Sequence, residues 1–174
     1  MVVNETIQSA RDVTKTASYR VDTWQSRDIG NLGYIDRDQV TFYRALKRKH
    51  TYQSVFELEK IQQLPRVEIL YSYSGAGGEL MEFTHSRLKV DGLVVATFPT
   101  GRLTPGMEKT AKELAGKGLP IALAHRGGVG RVEKPSGPLI GADNLSPQKA
   151  RILLMLALTQ TRNPKELQKF FDDY

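Results

Sequence analysis

The chain contains no cysteine. A disulfide framework, a zinc–thiolate site and a thiol nucleophile are therefore excluded. Its three histidines, His50, His85 and His125, are widely separated in the sequence. No pair of them has the close spacing that metal ligands on one element usually show. We therefore expect neither a metal ion nor another cofactor.

Long hydrophobic runs are also missing. The longest apolar run, residues 152–158, is far too short to span a bilayer. Residues 1–5 lack the basic region and apolar stretch that are typical of a secretory signal. We therefore expect a cytoplasmic protein that has no membrane partner.

Basic residues are in modest excess, with 25 Lys and Arg against 19 Asp and Glu in 174 residues. This balance permits contact with nucleic acid. A basic cluster formed by Arg44, Lys47, Arg48, Lys49 and His50 could bind phosphates. Because aromatic residues are not interleaved with it, we favour a solvated flank of a hairpin over a nucleic-acid site. Nucleic-acid binding is the lesser alternative function.

Two regions of the sequence differ in composition and in hydrophobic pattern. Residues 1–65 are polar and rich in β-formers, whereas residues 66–174 alternate apolar strand patterns with helical patterns. Such alternation is typical of a parallel α/β sheet. The fold class predicted is therefore α/β, with a flavodoxin- or Rossmann-like parallel sheet and flanking helices. A β-rich N-terminal appendage, residues 1–65, is predicted to precede it.

Local patterns place the individual elements. In the first region we predict a strand stub at residues 2–3, a strand at 18–24, a hairpin over 33–43 and a short helix or linker at 56–63. In the second region we predict strands at 67–73, 93–98 and 120–125. Helices are predicted at 79–88, 105–115, 148–160 and from 164 onward. Thr104, Ser146 and Asn163 precede prolines and are predicted to cap three of these helices.

Three strand-to-helix loops should meet at one edge of the sheet, because parallel crossovers share one hand. These loops are residues 74–78, 97–103 and 125–130, and ligands commonly bind at such an edge. The glycines of residues 74–78 resemble a dinucleotide-binding loop, but no glycine stands at the usual third position and the later acidic residue is missing. A tight turn is therefore the favoured interpretation.

Lys15 lies between Thr14 and Thr16 in a segment that is dense in hydroxyl groups. A lysine beside a hydroxyl can tune a nucleophile. Most such lysines are simply exposed, so the pattern alone leaves both interpretations open.

Several segments, in order, resemble the bacterial L-asparaginases. The resemblance spans nearly the whole chain and corresponds to about the latter half of such an enzyme. It includes Ser-Ala-Arg-Asp-Val-Thr-Lys-Thr at residues 9–16 and is strongest at residues 145–159, Leu-Ser-Pro-Gln-Lys-Ala-Arg-Ile-Leu-Leu-Met-Leu-Ala-Leu-Thr. The other segments are residues 32–35, 42–44, 49–51, 90–95 and 170–174.

The resemblance implies hydrolysis of L-asparagine, and often of L-glutamine more slowly, to the acid and ammonia. It assigns the triad lysine of the family to Lys15, whereas the nucleophilic threonine and the Thr–Asp pair would align upstream of Met1. Thr14 or Thr16 could replace that nucleophile. Thr100, where the family has asparagine, and Glu133 would bind the substrate amino group across a subunit interface, so the resemblance also implies an oligomer.

Two functions follow from this resemblance. The first is a shortened asparaginase with a small-molecule substrate, L-asparagine or L-glutamine, that forms a homo-oligomer. The second is a catalytically incomplete association module, which pairs with a full-length relative or with a separate N-terminal half. The missing family nucleophile favours the second function on chemical grounds, because nucleophilic catalysis needs a hydroxyl within hydrogen-bond reach of its activator.

Overall fold

The structure is a computed structural model that describes residues 1–174. The chain divides into two compact units, Met1–Gln53 and Ser54–Tyr174, which are described separately below. None of its helices is both long enough and apolar enough to cross a membrane.

The first unit contains a four-stranded antiparallel sheet. Its strands are β1 (Val2–Val3), β2 (Thr6–Ile7), β5 (Gly33–Asp36) and β6 (Gln39–Phe42), in the order β1-β2-β5-β6. Asn4 and Glu5, which join β1 to β2, both have positive φ, as a two-residue hairpin turn of type I′ requires. The predicted strand stub and the predicted hairpin over residues 33–43 are confirmed.

A separate ribbon pairs β3 (Thr14–Lys15) with β4 (Trp24–Gln25). The prediction of a strand over residues 18–24 is wrong, because residues 18–22 form the bend between β3 and β4. Tyr19 and Val21 are exposed at 100% and 82%, so their alternation with polar residues buries nothing. An alternating pattern without a covered face does not specify a strand.

The second unit is a three-layer α/β domain with a four-stranded parallel sheet in the order β10-β9-β8-β7. It contains β7 (Val67–Tyr71), α1 (Glu79–Leu88), β8 (Gly92–Thr97), α2 (Pro105–Gly116) and β9 (Ile121–His125). It continues with β10 (Ile140–Gly141), α3 (Pro147–Ala157) and α4 (Pro164–Asp173), and a single 3₁₀ turn at Leu58–Lys60 precedes the sheet. The predicted α/β class with a parallel sheet, flanking helices and a β-rich N-terminal region is confirmed.

Hydrophobic side chains alternate between the two faces of this sheet. Leu93, Val95 and Leu123 pack on the face that α1 and α2 cover, and Val94 and Ala122 pack on the face that α3 and α4 cover. Strands buried on both faces are apolar throughout, which explains why β8 contains no charged residue.

The predicted caps are confirmed. Thr104 and Ser146 adopt extended backbone conformations and accept hydrogen bonds from the N–H groups of Met107 and Lys149, at 3.4 Å each. Asn163 accepts from the N–H of Lys165 at 2.9 Å. In each case the following proline occupies the first helical turn, where its missing N–H costs nothing.

Candidate functional site

Lys15 occupies β3, where it pairs directly with Trp24 of β4. Its side chain is exposed, and its ammonium group has no hydrogen bond or ion pair in the structure. Residues directly opposite on an antiparallel ribbon project from the same face. Lys15 and Trp24 therefore share one face of the ribbon.

Thr14 and Thr16 project from the other face of the ribbon, because successive residues of a strand alternate. The hydroxyl of Thr16 donates to the carbonyl of Thr23 at 2.9 Å, and the Thr16 N–H donates to the same oxygen at 2.7 Å. The Thr14 hydroxyl has no such partner. The structure thus leaves one free hydroxyl beside Lys15 in sequence, but directs it away from the Lys15 ammonium.

The bend between β3 and β4 is fixed by the buried Thr23. Its hydroxyl accepts from the N–H of Ala17 at 2.8 Å and donates to the carbonyl of the same residue. Together with the Thr16 bonds, these contacts hold the register that sets the direction of Lys15. This local network explains why the segment is rich in threonine without requiring a nucleophile.

In the second unit, a row of buried polar side chains crosses the carboxyl ends of the parallel strands. Thr97 pairs with His125, and the N–H of Ser72 donates to Ala96 at 2.9 Å, which places Ser72 level with both. The exposed fractions are 0% for Ser72 and Thr97 and 4% for His125. The row was not predicted, although His125 was placed at this edge, because only the strand register aligns the three residues.

The Thr97 hydroxyl donates within the row, to the carbonyl of Phe98 at 2.9 Å or of Ala124 at 3.2 Å. Ser72 Oγ and His125 Nδ1 are buried without a protein partner. A buried polar atom of this kind is usually satisfied by an ordered water. Because all three side chains are covered, the row forms a polar layer beneath the edge and offers no open nucleophile.

Arg126 follows this row and closes it on one side. Its Nη1 donates to the carbonyl of Ser72 at 2.6 Å, and its guanidinium lies 4.3 Å from the centre of the Phe98 ring. A cation over an aromatic ring is stabilised by the ring quadrupole. Arg126 thus ties the ends of β7, β8 and β9 together at the edge where ligands were expected.

Thr100 and Glu133 lie at the same edge. Thr100 forms a parallel bridge with Val132, which immediately precedes Glu133, and both Thr100 and Glu133 are exposed. The Thr100 hydroxyl donates to the carbonyl of Pro99 at 2.6 Å, so it can offer only lone pairs to a ligand. The structure therefore places Glu133 next to the residue that bridges to Thr100, and both side chains offer hydrogen-bond acceptors.

Arg131 flanks Glu133 and is paired with Asp143, whose carboxylate accepts from Arg131 Nε at 2.5 Å. This hydrogen bond, together with the charge of Asp143, raises the pKa of the Arg131 guanidinium above its ordinary value. Val132 also pairs with Asp143 in an antiparallel bridge. The segment that carries Glu133 is thus anchored to Asp143 through Arg131 and Val132.

The glycines of residues 74–78 serve packing. Ala76 N–H donates to the Tyr73 carbonyl at 3.0 Å, and Gly75 has a φ of +81°, so the segment is a tight turn. A Cβ on Gly78 would lie 1.9 Å from Thr110 Oγ1 of α2. Gly78 is therefore required for the close approach of α1 to α2, which supports the tight-turn interpretation over a dinucleotide loop.

The basic cluster, Arg44 and Lys47 to His50, lies in a segment without regular secondary structure. Arg44 donates to the carbonyl of Asn31 through Nε at 3.0 Å and through Nη2 at 2.9 Å. His50 contacts the hydroxyl of Thr51 at 3.1 Å and the edge of the Tyr52 ring. These contacts use the first and last members of the cluster locally, in keeping with a flank of the hairpin.

Two protein-family models match the chain. The model described as Glutaminase/Asparaginase C-terminal domain matches residues 66–171, and the model described as Asparaginase, N-terminal, matches residues 1–48. Together they account for most of both compact units.

Similar proteins agree with these models. L-asparaginase 2 of Bacillus subtilis (strain 168) is 36% identical over 100% of this chain and 47% of its own length. "Probable L-asparaginase periplasmic" of Haemophilus influenzae is 35% identical over 100% of this chain and 51% of its own length. The crystal structure of a "Probable Cytoplasmic L-asparaginase" from Campylobacter jejuni superposes with a TM-score of 0.92 at 40% identity, covering 99% of this chain and 57% of that one. The chain spans about half the length of the curated relatives it matches.

Proposed function

This chain belongs to the bacterial L-asparaginase family, and on that premise we propose that it acts as an L-asparaginase-type amidohydrolase. The reaction converts L-asparagine and water to L-aspartate and ammonia, with L-glutamine as a second candidate substrate. The observation that carries the proposal is the continuous match, over both units, to relatives named L-asparaginase.

Lys15 is the residue we propose for the chemistry. Amide hydrolysis through a covalent intermediate needs a hydroxyl oxygen that attacks the carbonyl carbon while ammonia leaves. A lysine near that hydroxyl, in its neutral amine form, can accept the hydroxyl proton, directly or through a carboxylate, and pass it to the leaving nitrogen. The exposed, unpaired ammonium of Lys15 is free to take such a partner.

No residue on the Lys15 face of the ribbon, by contrast, is a candidate to supply the attacking hydroxyl. Thr14 and Thr16 project from the opposite face, and the Thr16 hydroxyl is engaged with Thr23. We therefore favour a site that another polypeptide segment or subunit completes. This observation supports the second candidate function, in which the chain contributes Lys15 to a shared site and is inactive alone.

Thr100 and Glu133 are proposed to bind the α-ammonium group of the substrate. A carboxylate and a hydroxyl oxygen whose proton is already donated are both acceptors, which suits a group that only donates. We propose that they act across an interface between copies of the chain, so that the active form is a homo-oligomer.

Ammonia release from L-asparagine tests the first proposal. The purified chain, produced in a host that lacks its own asparaginases, is compared with Lys15→Ala and with Lys47→Ala, which removes an exposed lysine of the same unit. On this first proposal, ammonia release is lost in Lys15→Ala and kept in Lys47→Ala. Equal release from all three proteins would show that Lys15 has no catalytic part.

A mixing experiment tests the second candidate. The N-terminal half of an L-asparaginase is added to the chain, and the assay is repeated with both lysine variants. Release that appears only on mixing, and only when Lys15 is present, is the result expected of a completed site. Release by the chain alone, unchanged on mixing, would reject this candidate.

We also propose that the protein works in the cytoplasm. The Campylobacter jejuni structure is described as cytoplasmic and the Haemophilus influenzae relative as periplasmic, so the relatives support both compartments. Fractionation of cells that express the natural gene decides between them, and recovery in the osmotic-shock fluid would reject the proposal.

A further inference from the structure

The strand β6 forms one edge of the four-stranded sheet in the first unit, and it is paired on its inner side only, with β5. The N–H of Tyr43 donates to the carbonyl of Leu32 at 2.9 Å, and hydrogen-bonded pairs alternate along an antiparallel ladder. Val40 and Phe42 therefore direct their backbone N–H and C=O groups away from β5, where these groups have no hydrogen-bond partner. The outer side of β6 thus offers two N–H donors and two carbonyl acceptors.

The side chains along this edge are apolar and exposed. Val40 is 58% exposed and Phe42 is 63% exposed, and both project from the same face because they are two residues apart. Natural edge strands are usually protected from pairing by lysine, proline or a bulge. Residues 39–42 contain neither lysine nor proline, and their register with β5 is continuous, so no bulge interrupts it. The edge therefore lacks the features that keep a strand from pairing with another chain.

The two ends of β6 carry opposite charges. Asp36 and Asp38 lie at the turn that precedes the strand, whereas Arg44 and Lys47 follow it, and all four residues are exposed. In an antiparallel pair the start of one strand lies beside the end of the other. A second copy of β6 placed along the first therefore brings each acidic end beside a basic end. The edge is complementary to itself in charge as well as in hydrogen bonding.

We propose that β6 pairs with β6 of a second copy of this chain, antiparallel and across a two-fold axis at Thr41. The free N–H and C=O groups of Val40 and Phe42 are then exchanged in four hydrogen bonds. Val40 packs beside the partner's Phe42, which is a β-branched and aromatic cross-strand pair, and Asp38 lies opposite the partner's Arg44. Because a two-fold contact uses the same surface on both copies, the pairing closes as a dimer.

Sedimentation velocity over a dilution series measures the pairing. The chain has a mass of 19.5 kDa, and we expect a species of twice that mass that dissociates on dilution. Val40→Pro removes an outward N–H from each copy and no hydrogen bond of the hairpin, so it should weaken the dimer at least about tenfold. Val40→Ile keeps the N–H and the branched carbon, and this control should dimerise like the unmodified chain.

Val40→Lys is a second variant that alters no backbone group. It places a charge against the partner's Phe42 and should also weaken the dimer. Circular dichroism establishes that each variant is folded.

Single cysteines test the register, because the chain has none of its own. Thr41→Cys faces its own copy across the axis with Cα atoms about 4.5 Å apart, a separation that a disulfide can bridge. Gln39→Cys is the matched control, since Gln39 lies on the same face of β6 but opposite the partner's Tyr43. Its two copies are about 14 Å apart, which is too far for a disulfide. Under mild oxidation Thr41→Cys should form the covalent dimer at least about tenfold faster than Gln39→Cys.

A chain that stays monomeric at every concentration would overturn the proposal. So would a dimer that folded Val40→Pro and Val40→Lys leave unchanged, or equal rates of disulfide formation at positions 39 and 41, because these results would assign the assembly to another surface. An added N-terminal half of an L-asparaginase that binds in place of the second copy, and is lost in Val40→Pro, would also overturn it. Hydrolysis of L-asparagine has no part in these measurements, so the pairing and the proposed function can fail separately.

Discussion

Thr100 adopts a left-handed backbone conformation, with φ of +63°, at the edge that carries the proposed substrate-binding residues. A β-branched residue is strained there, whereas asparagine tolerates this region. Thr100→Asn should therefore raise the free energy of unfolding by about 1 kcal/mol. Urea denaturation measures the change. Thr100→Val keeps the branched carbon and should gain nothing, and a matching gain in that control would show that strain is not the cause.

The lowered pKa of Asp91 predicts how the stability of the fold changes with pH. Its pKa lies below 3.8, first because the N–H of Arg66 donates to it and further because Arg162 Nη2 donates to it, while partial burial opposes both effects. A carboxylate whose pKa is lowered by folding stabilises the protein above its unfolded pKa, and this contribution is lost as pH falls through the folded pKa.

Asp91→Asn keeps an oxygen acceptor for Arg66 but removes the charge. The variant should therefore be less stable than the unmodified chain at neutral pH, and the difference should narrow below pH 3.8. Urea unfolding at neutral pH and below pH 3.8 measures this difference in the free energy of unfolding. A difference of equal size at both would show that the charge of Asp91 contributes nothing.

At the scale of elements, long segments were predictable, whereas among the two-residue strands only β1 was predicted. The prediction of helix 79–88 matches α1, because a glycine turn precedes it and the pattern is sustained over its length. The strands β2, β3, β4 and β10 have two residues each, which is too short for any periodicity. They form where turns and neighbouring strands place them, and such tertiary effects leave no local signal.

The N-cap of α2 joins this helix to the preceding loop. Thr104 Oγ1 donates to Ala76 at 2.6 Å and accepts from Met107 N–H. Thr104→Ala should reduce the free energy of unfolding by about 1–2 kcal/mol. Thr104→Ser retains both bonds and should stay within about 0.5 kcal/mol of the unmodified chain. Thermal or urea unfolding of both variants checks this, and equal losses would show that the lost methyl, rather than the cap, is responsible.

The close approach of α1 to α2 leads to a second prediction for these helices. Gly78→Ala should destabilise the domain by about 1–3 kcal/mol, because the new methyl group overlaps Thr110. Most of the overlap should disappear when Gly78→Ala is combined with Thr110→Gly, because both Thr110 Oγ1, at 1.9 Å, and Thr110 Cβ, at 2.6 Å, would crowd the new methyl group.

Gly116→Ala is the matched control for the added methyl group. A Cβ there meets nothing within 4 Å, and Ala favours the helix, so the change should be neutral or stabilising. A double-mutant cycle from urea unfolding measures the coupling. Additive effects of Gly78→Ala and Thr110→Gly would contradict the packing account.

At the scale of the whole molecule, the sequence predicted the α/β class and the shared edge of the strand-to-helix loops in the second unit. The resemblance of the chain to one family also placed Thr100 and Glu133 near each other. The sequence pattern missed the β3–β4 ribbon of the first unit, because residues 18–24 alternate as a plain strand does. Tertiary contacts arrange this segment, because β3 pairs with β4 and Ser26 donates to Gln8.

The central claim is that this asparaginase-family chain contributes Lys15 to amide hydrolysis. Its most direct test is the rate of L-aspartate formation from L-asparagine by the purified chain, with and without the N-terminal half of an L-asparaginase, for the unmodified protein and Lys15→Ala. The account predicts turnover in at least one of these conditions for the unmodified protein and its loss in Lys15→Ala. Turnover that is equal in the two proteins, or absent in every condition, would contradict it.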